Sequence, residues 1–157
     1  IRGFAEVALS LAPRDVAIKL NSYFQPITET VLRYHGVPIK YIGDGFLAYF
    51  SGTLHEQRAF DAAYSLANVF SDIHLLISLD KGAIHLGSVG YGDYAKPDII
   101  GSTVNDGFML NNWSNQYSKA SLLCTDLVYT KIACDAKTEI RHDSILGSSR
   151  IVYEILV

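Results

Sequence analysis

The chain has 157 residues, of which 49% are hydrophobic and 18% are charged, and its mean hydropathy is +0.17. These values exclude a disordered chain and a low-complexity linker, and the length suffices for one domain with its own core. Thirteen Lys and Arg against sixteen Asp and Glu give a net charge of -3, which argues against a sequence-independent nucleic-acid binder. The two cysteines, Cys124 and Cys134, are too few for a disulfide scaffold and lack metal-site spacing, so we expect a reducing, cytoplasmic environment.

The apolar runs are too short to cross a membrane, and the longest of them, 73–79, has the length of a strand. Residues 1–15 lack the basic and apolar regions of a signal peptide. The chain begins with Ile1 rather than Met, which favours a piece of a longer protein. We therefore expect a domain without direct membrane contact of its own.

The first predicted helix begins at Pro13, where a missing N–H costs nothing, with Ser10 as its cap. Its apolar face consists of residues at helical spacing, namely Val16, Leu20, Phe24, Ile27 and Val31. Pro26 predicts a kink or a break within this helix, and Gly36 followed by Pro38 predicts its end.

Two strands are predicted within 39–50 around the sequence Gly43-Asp44-Gly45, because an Asp-Gly pair is a strong hairpin signal. A second helix is predicted over 54–70. Two further strands, 75–79 and 83–89, are predicted to be joined through the turn-forming residues between them.

A loop over 90–97 leads to Asp98 and a third predicted helix over 103–115. A short strand at 122–124, a short helix at 125–134 and a closing strand at 151–156 follow. The alternation of strands and helices, with hairpins in between, predicts a single α+β domain over 1–157, with helices packed on one antiparallel sheet.

Common site motifs are missing from the sequence. The five histidines show no zinc-binding spacing, and there is no GxSxG, no Walker A sequence and no GxGxxG after a strand. Four polar residues beside glycines remain as candidates: Lys40, Asp44, Asp98 and Asn105. Each also has an ordinary structural interpretation, as a solvated strand residue, a turn former, a helix-entry acid and a polar residue on a helix face.

Several stretches, in order and with compatible spacing, resemble the catalytic domain of the class III adenylate and guanylate cyclases. They are the opening Ile1-Arg2-Gly3-Phe4, the helix 13–24, the hairpin Lys40-Tyr41-Ile42-Gly43-Asp44-Gly45, the strand 82–90, the segment Asp98-Ile99-Ile100-Gly101-Ser102-Thr103-Val104-Asn105 and the closing Val152-Tyr153-Glu154-Ile155. The resemblance implies a ferredoxin-like, palm-type sheet with helices packed on it, whose first strand is truncated before Ile1. It also implies a head-to-tail homodimer, or a heterodimer with another cyclase domain, within a larger cytoplasmic or membrane-bound signalling protein.

The resemblance implies a two-metal-ion cyclisation of ATP at the dimer interface, with Mg²⁺ or Mn²⁺ as the two ions per site. Asp44 then matches one of the two metal-binding aspartates, and Ile1 would offer its backbone carbonyl to the second ion. The other aspartate would lie immediately before Ile1. Carboxylates suit this role because magnesium prefers hard oxygen ligands.

By the same resemblance, Lys40 and Asp98 form the pair that reads adenine. Lys40 would donate to ring N1, and Asp98 would accept from the exocyclic amine, whereas a Glu-Cys type of pair reads guanine. A mismatched buried donor or acceptor costs about 1–3 kcal/mol. Asn105 matches the asparagine that positions the ribose.

The sequence departs from the family pattern at two places. One turn after Asn105 the family has an arginine that stabilises phosphate charge in the transition state, and here Met109 occupies the position. We expect Met109 to pack in the helix beside Trp113. The family's phosphate-binding lysine is also missing from 145–149, although Arg150 is close.

Two functions therefore remain open. One is an adenylate cyclase, weakened by the departures, and the alternative is a degenerate cyclase homology domain that binds nucleotide or dimerises as a regulatory module. A diguanylate cyclase is a poorer match, because the acidic residue after Asp44 is absent from Ile42-Gly43-Asp44-Gly45-Phe46.

Overall fold

The computed structural model describes residues 1–134, 138–143 and 151–157, and of residues 138–143 it describes the backbone only. The described residues fall into two compact units, Ile1–Leu75 and Leu76–Val157. Each unit combines helices with strands, which confirms the predicted α+β class. Within the described ranges, every helix is too short or too polar to cross a membrane.

The first unit is built from helices around one β-hairpin. Its elements are α1 (Phe4–Leu9), α2 (Pro13–Arg33), β1 (Val37–Ile42), β2 (Gly45–Tyr49) and α3 (His55–Ala67). The hairpin β1–β2 is antiparallel, as predicted, and a bulge interrupts its register between Pro38 and Lys40. The predicted second helix is present as α3, with both ends shorter than the sequence indicates.

The long helix α2 begins at Pro13, as predicted, but Ser10 does not cap it. The residue at the cap position is Ala12, which makes no side-chain bond there, and the Ser10 hydroxyl instead donates to the Val7 carbonyl oxygen at the end of α1, at 2.8 Å. The helix continues through Pro26 as far as Arg33, so the proline does not interrupt it.

The end of α2 is closed by a left-handed residue. His35 has a φ of 60°, a conformation that histidine adopts more readily than most side chains. Its N–H donates to the Leu32 carbonyl at 2.9 Å, and the N–H of Gly36 donates to the Val31 carbonyl at 2.8 Å. These paired bonds are the Schellman arrangement of a helix C-terminus, so the helix ends where the sequence predicts but uses His35 as the left-handed residue.

Apolar burial holds α2 in place. The buried residues of this helix include Tyr23, Phe24, Ile27 and Val31, four of the positions on one side of the helix. The helix packs against α3 and β1. On the β1 side, the Phe24 and Tyr41 ring centroids lie 4.5 Å apart. The helical spacing of apolar residues in the sequence therefore identified the packed face correctly.

The second unit contains a mixed sheet, a separate two-stranded ribbon and a long helix. Its elements are β3 (Ile77–Leu79), β4 (His85–Val89), β5 (Lys96–Ile100), α4 (Ser102–Tyr117), β6 (Leu122–Thr125), α5 (Asp126–Tyr129), β7 (Thr138–Asp143) and β8 (Ile151–Ile155). The sheet has the order β3-β6-β8-β7, in which β3 and β6 are parallel and the other pairs are antiparallel. The ribbon consists of β4 and β5.

This topology corrects the expectation that a turn joins the strands 75–79 and 83–89. The two strands β3 and β4 lie in different sheets, since β3 pairs with β6 and β4 pairs with β5, a strand that the sequence did not predict. The segment between them does not close a hairpin, and within it the Asp80 carboxylate accepts hydrogen bonds from Thr103 and Thr125. The sequence analysis expected an antiparallel sheet, whereas the observed sheet contains one parallel pair, β3 and β6.

The core of the second unit surrounds β6. Leu122, Leu123 and Cys124 are fully buried, because β6 is covered by strands on both edges and packs on both faces. Leu110 of α4 is also fully buried and packs in a cluster with Ala120, Leu123 and Val152. The sheet and α4 thus share one apolar core.

Candidate functional site

Asp44 lies at the tip of the β1–β2 hairpin. Ile42 pairs with Gly45, so the turn consists of two residues, Gly43 and Asp44. Gly43 takes the left-handed conformation, with a φ of +60°, as glycine does at the first central position of a type II′ turn. The structure therefore places the predicted carboxylate at a turn with a defined backbone, where 42% of its side chain is exposed.

The beginning of the chain lies beside Asp44. The backbone nitrogen of Ile1 is 3.1 Å from Asp44 Oδ2 and 3.4 Å from the Asp44 carbonyl oxygen. The next residue is held by a bridge in which the Arg2 N–H donates to the His74 carbonyl at 2.9 Å. The structure thus brings together the two residues assigned to metal binding, and the role of the Ile1 carbonyl stays a prediction.

The donor atoms around Asp44 fit a divalent cation in kind. A carboxylate and a backbone carbonyl are hard oxygen ligands of the type that Mg²⁺ and Mn²⁺ accept. They do not suffice in number for two ions, since the described part of the chain holds no cluster of three or more His, Cys, Asp or Glu side chains suited to a metal. The assignment of Asp44 as a metal ligand therefore stays a prediction that needs further ligands.

Lys40 lies on β1, four residues before Asp44. It is half-buried and pairs with Leu47 of β2, directly after the bulge that follows Pro38. A bulge redirects the side chains beyond it. The direction of the Lys40 side chain is therefore set by this irregularity as well as by the strand.

Asp98 lies in β5 and is not the helix-entry acid of the ordinary structural interpretation. It is half-buried, faces Gly87 across the ribbon, and its Oδ1 accepts a hydrogen bond from the Ile99 N–H at 2.8 Å. Lys40 belongs to the first compact unit and Asp98 to the second. The proposed adenine pair is thus divided between the two units.

Asn105 and Met109 are one helical turn apart on α4, and both side chains are exposed. The expectation that Met109 packs beside Trp113 is wrong, because 48% of Met109 is exposed while the neighbouring Leu110 occupies the core position. Trp113 packs against the cluster that contains Leu110. Met109 therefore belongs to the outer face of α4.

The outer face of α4 has no positive charge, because residues 102–117 contain neither Lys nor Arg. The second departure from the family pattern concerns 145–149 and Arg150, which lie outside the described residues. On α4, therefore, an exposed methionine occupies the position at which the resemblance places a cation.

The buried thiol of Cys124 is not suited to act as a nucleophile or as a metal ligand. Burial of Cys124 in β6, followed by the influence of Cys134, raises the pKa of its thiol to about 12. At neutral pH it is therefore protonated, and a protonated thiol is neither a nucleophile nor a metal ligand.

Asp80 is a polar residue that the sequence analysis treated as part of a turn. Its carboxylate accepts hydrogen bonds from the hydroxyls of Thr103, at the start of α4, and Thr125, at the end of β6. The feature of the sequence that could have identified Asp80 is its position directly after the apolar run 75–79. Because Lys81-Gly82 follows it, Asp80 was interpreted as part of a turn.

The fold is similar to that of solved cyclase structures, and the sequence has distant relatives. No family model matches the chain. An adenylate cyclase of Anabaena cylindrica is 24% identical over 156 residues, which cover 90% of this chain and 31% of the relative. An uncharacterised protein of Mycobacterium tuberculosis is 29% identical over 118 residues, which cover 70% of this chain and 22% of the relative. The chain thus spans less than a third of the length of either relative.

Among solved structures, a bacterial light-regulated adenylyl cyclase matches 99% of this chain and 49% of its own, with a TM-score of 0.82 and 20% identity. The adenylyl cyclase CyaB from P. aeruginosa matches 99% of this chain and 89% of its own, with a TM-score of 0.79 and 19% identity. The guanylate cyclase domain of RhGC from Catenaria anguillulae, in complex with GTP, matches 98% and 90%, with a TM-score of 0.78 and 17% identity.

Proposed function

We propose that this chain, which has the fold of class III adenylyl and guanylyl cyclase catalytic domains, converts ATP to 3′,5′-cyclic AMP and pyrophosphate. The observation that carries the proposal is the likeness to cyclase domains over 99% of the chain. Because a fold alone does not define an activity, the proposal also depends on particular side chains. These are Lys40, Asp44, Asp98 and Asn105.

In the proposed reaction the ribose 3′-oxygen attacks the α-phosphorus in line, its proton leaves to solvent, and pyrophosphate is displaced. Two divalent ions, Mg²⁺ or Mn²⁺, would supply the charge that lowers the pKa of the 3′-hydroxyl and neutralises the triphosphate. Asp44 and the Ile1 carbonyl would hold the metal, and further ligands must come from outside the described donor set. The exposure of Asp44 at a turn supports this role.

The preference for ATP over GTP rests on Lys40 and Asp98, since the similar structures include cyclases of both kinds. Lys40 would donate to adenine N1 and Asp98 would accept from the exocyclic amine. Guanine presents an N–H and a carbonyl oxygen at the corresponding positions, so it would leave mismatched groups at about 1–3 kcal/mol each. Asn105 would hold the ribose.

The similar structures include cyclase domains, and the resemblance implies a head-to-tail dimer with a second copy or a related domain. Such a partner would supply the groups that this chain lacks. The net charge of -3 argues against a nucleic acid as the partner.

The test is cyclic AMP formation from Mn-ATP by the full-length protein and its Asp44→Ala variant. We expect the metal-dependent product to fall at least 100-fold, because Asp44 anchors the metal and a turn-tip acid contributes little packing. Asp93→Ala removes an exposed loop carboxylate and serves as the matched control, with activity retained. An active, fully metal-responsive Asp44→Ala protein would contradict the proposal, and GTP as the better substrate would contradict the adenine pair.

The exposed Met109 favours a second candidate function, a regulatory module that binds nucleotide or dimerises without turnover. Losing one donor aimed at transition-state charge commonly costs about 10²–10³ in rate. Met109→Arg tests this. A large gain in cyclic AMP formation would show an otherwise intact site, whereas nucleotide binding without product in both proteins would favour the regulatory module.

A further inference from the structure

The helix α4 is fastened to β3 by a regular series of polar contacts. Three hydrogen bonds join α4 to β3 and to the residues on either side of it. They run from Thr103 Oγ1 to Asp80 Oδ2 at 2.6 Å, from Ser78 Oγ to the Gly107 carbonyl at 2.7 Å, and from Asn111 Nδ2 to the Leu76 carbonyl at 2.7 Å. Ser78 lies within β3, while Leu76 precedes the strand and Asp80 follows it. Along the helix the contacts recur every four residues, and along the strand every two, in opposite directions. We call these six residues the α4–β3 zipper.

The spacing of the zipper follows from the geometry of the two elements. Four residues of an α-helix advance about 6 Å, and two residues of a strand advance about 6.6 Å. The two repeats therefore remain in step over the length of the contact. Since all three hydrogen bonds leave the helix on one side, together they fix its rotation about its own axis.

Apolar burial alone does not account for this rotation, although Leu110 is fully buried. On α4, Phe108 and Met109 are 46% and 48% exposed, whereas the polar Thr103 and Ser114 are buried. Turning the helix by about 100°, one residue step, would move Leu110 out of the core and the zipper residues away from their partners. The zipper opposes that turn, because it would leave buried polar groups without their partners.

Asp80 anchors the zipper at the start of α4. Besides the bond from the Thr103 hydroxyl, it accepts a hydrogen bond from the hydroxyl of the fully buried Thr125 at 2.7 Å, so one carboxylate, directly after β3, joins α4 to β6. A Cβ added at Gly82 would lie 2.8 Å from the Thr103 Cβ, which shows how closely the following loop approaches the helix. The negative charge also lies at the favourable, N-terminal end of the helix.

We infer that Asp80 is a positioning residue, which acts through Thr103 to fix the direction of Asn105. Two residues along a helix correspond to a rotation of about 200°, so Asn105 points away from the zipper because Thr103 points into it. This inference rests on the proposed function, in which Asn105 holds the ribose. It assigns Asp80 no contact with the substrate.

The experiment compares Thr103→Val with Thr125→Val in the full-length protein. Each variant removes one hydroxyl donor from Asp80 and nearly preserves side-chain shape. We expect kcat for cyclic AMP formation from Mn-ATP to fall about 10-fold or more in Thr103→Val with little change in KM, because a small misplacement of a reacting group is costly. Thr125→Val should stay within about twofold of wild type, and Thr103→Ser, which keeps the hydroxyl, should restore kcat.

A second readout does not depend on activity. Met109 is the one methionine of the 157 residues and lies on the same face of α4 as Asn105, so a ¹³C-methyl label reports the rotation of the helix. The Met109→Leu variant assigns the signal. We expect Thr103→Val to shift or split this resonance and Thr125→Val to leave it in place.

The outcomes separate the two proposals. A wild-type protein that makes no cyclic AMP overturns the proposed function, while the methyl resonance still tests the zipper. Equal losses of kcat in the two valine variants, or an unchanged resonance in Thr103→Val, overturn the positioning role of Asp80.

Discussion

The two long helices of this protein are held in place by different interactions. Phe24 and Ile27 of α2 are buried among apolar neighbours, so the position of this helix follows its apolar stripe. The helix α4 buries Leu110, but it also makes regular hydrogen bonds to β3 and the residues beside it and leaves Phe108 and Met109 exposed. The comparison shows that an apolar stripe identifies the packed face of a helix only where apolar burial provides most of the attachment.

The largest effect is expected in α2. Phe24→Ala should lower the free energy of unfolding by about 3–5 kcal/mol, because it removes a buried ring that contacts Tyr41 and leaves a cavity. Urea unfolding monitored by circular dichroism measures the loss. Ile18→Ala on the same helix, at a position that is 57% exposed, is the control and should change stability little. Equal losses in the two variants would remove the distinction between the faces of α2.

A smaller effect is expected at the far end of the zipper. Asn111→Ala removes the hydrogen bond to the Leu76 carbonyl and should cost about 1–3 kcal/mol, because a partly buried acceptor loses its donor. Asn112→Ala, at the exposed neighbouring position, provides a matched control of the same residue type. Thermal unfolding of both variants measures the difference. If they are equally stable, polar contacts do not hold α4.

The smallest effect concerns a polar contact at the margin of α2. The Tyr23 hydroxyl donates to Asp72 Oδ2 at 2.7 Å, and this bond, with Lys19 nearby, lowers the pKa of Asp72 below its ordinary 3.8. Because the folded-state pKa is depressed, the stabilisation is present above pH 3.8 and is lost as the pH falls through the folded-state value.

The test of this contact is the stability of wild type and Asp72→Asn at pH 7 and near pH 2. We expect wild type to be slightly more stable at pH 7 and the difference to vanish at the acidic end. In a Tyr23→Phe background the difference at pH 7 should shrink, since the main cause of the shift is gone. A gap of constant size at both pH values would contradict the assigned role of Asp72.

The sequence patterns were informative where contacts are local. The β1–β2 hairpin with Asp44 at its tip follows from glycine chemistry within a few residues, and the start of α2 follows from Pro13. Pairing between distant segments was not predictable in the same way. The strand β5 was missed, although its partner β4 was predicted. The predicted turn after β3 was wrong, because no local pattern specifies that β3 pairs with β6, a strand far along the chain.

The sequence by itself determined the α+β class, the apolar face of α2 and the turn that presents Asp44, since each depends on periodicity or on backbone preferences of neighbouring residues. Only the tertiary structure decided that Asp80 joins Thr103 and Thr125, which are 23 and 45 positions further along the chain. The outward direction of Met109 likewise depends on contacts between distant residues, because α4 is held by these hydrogen bonds and by the burial of Leu110 against Leu123 and Val152.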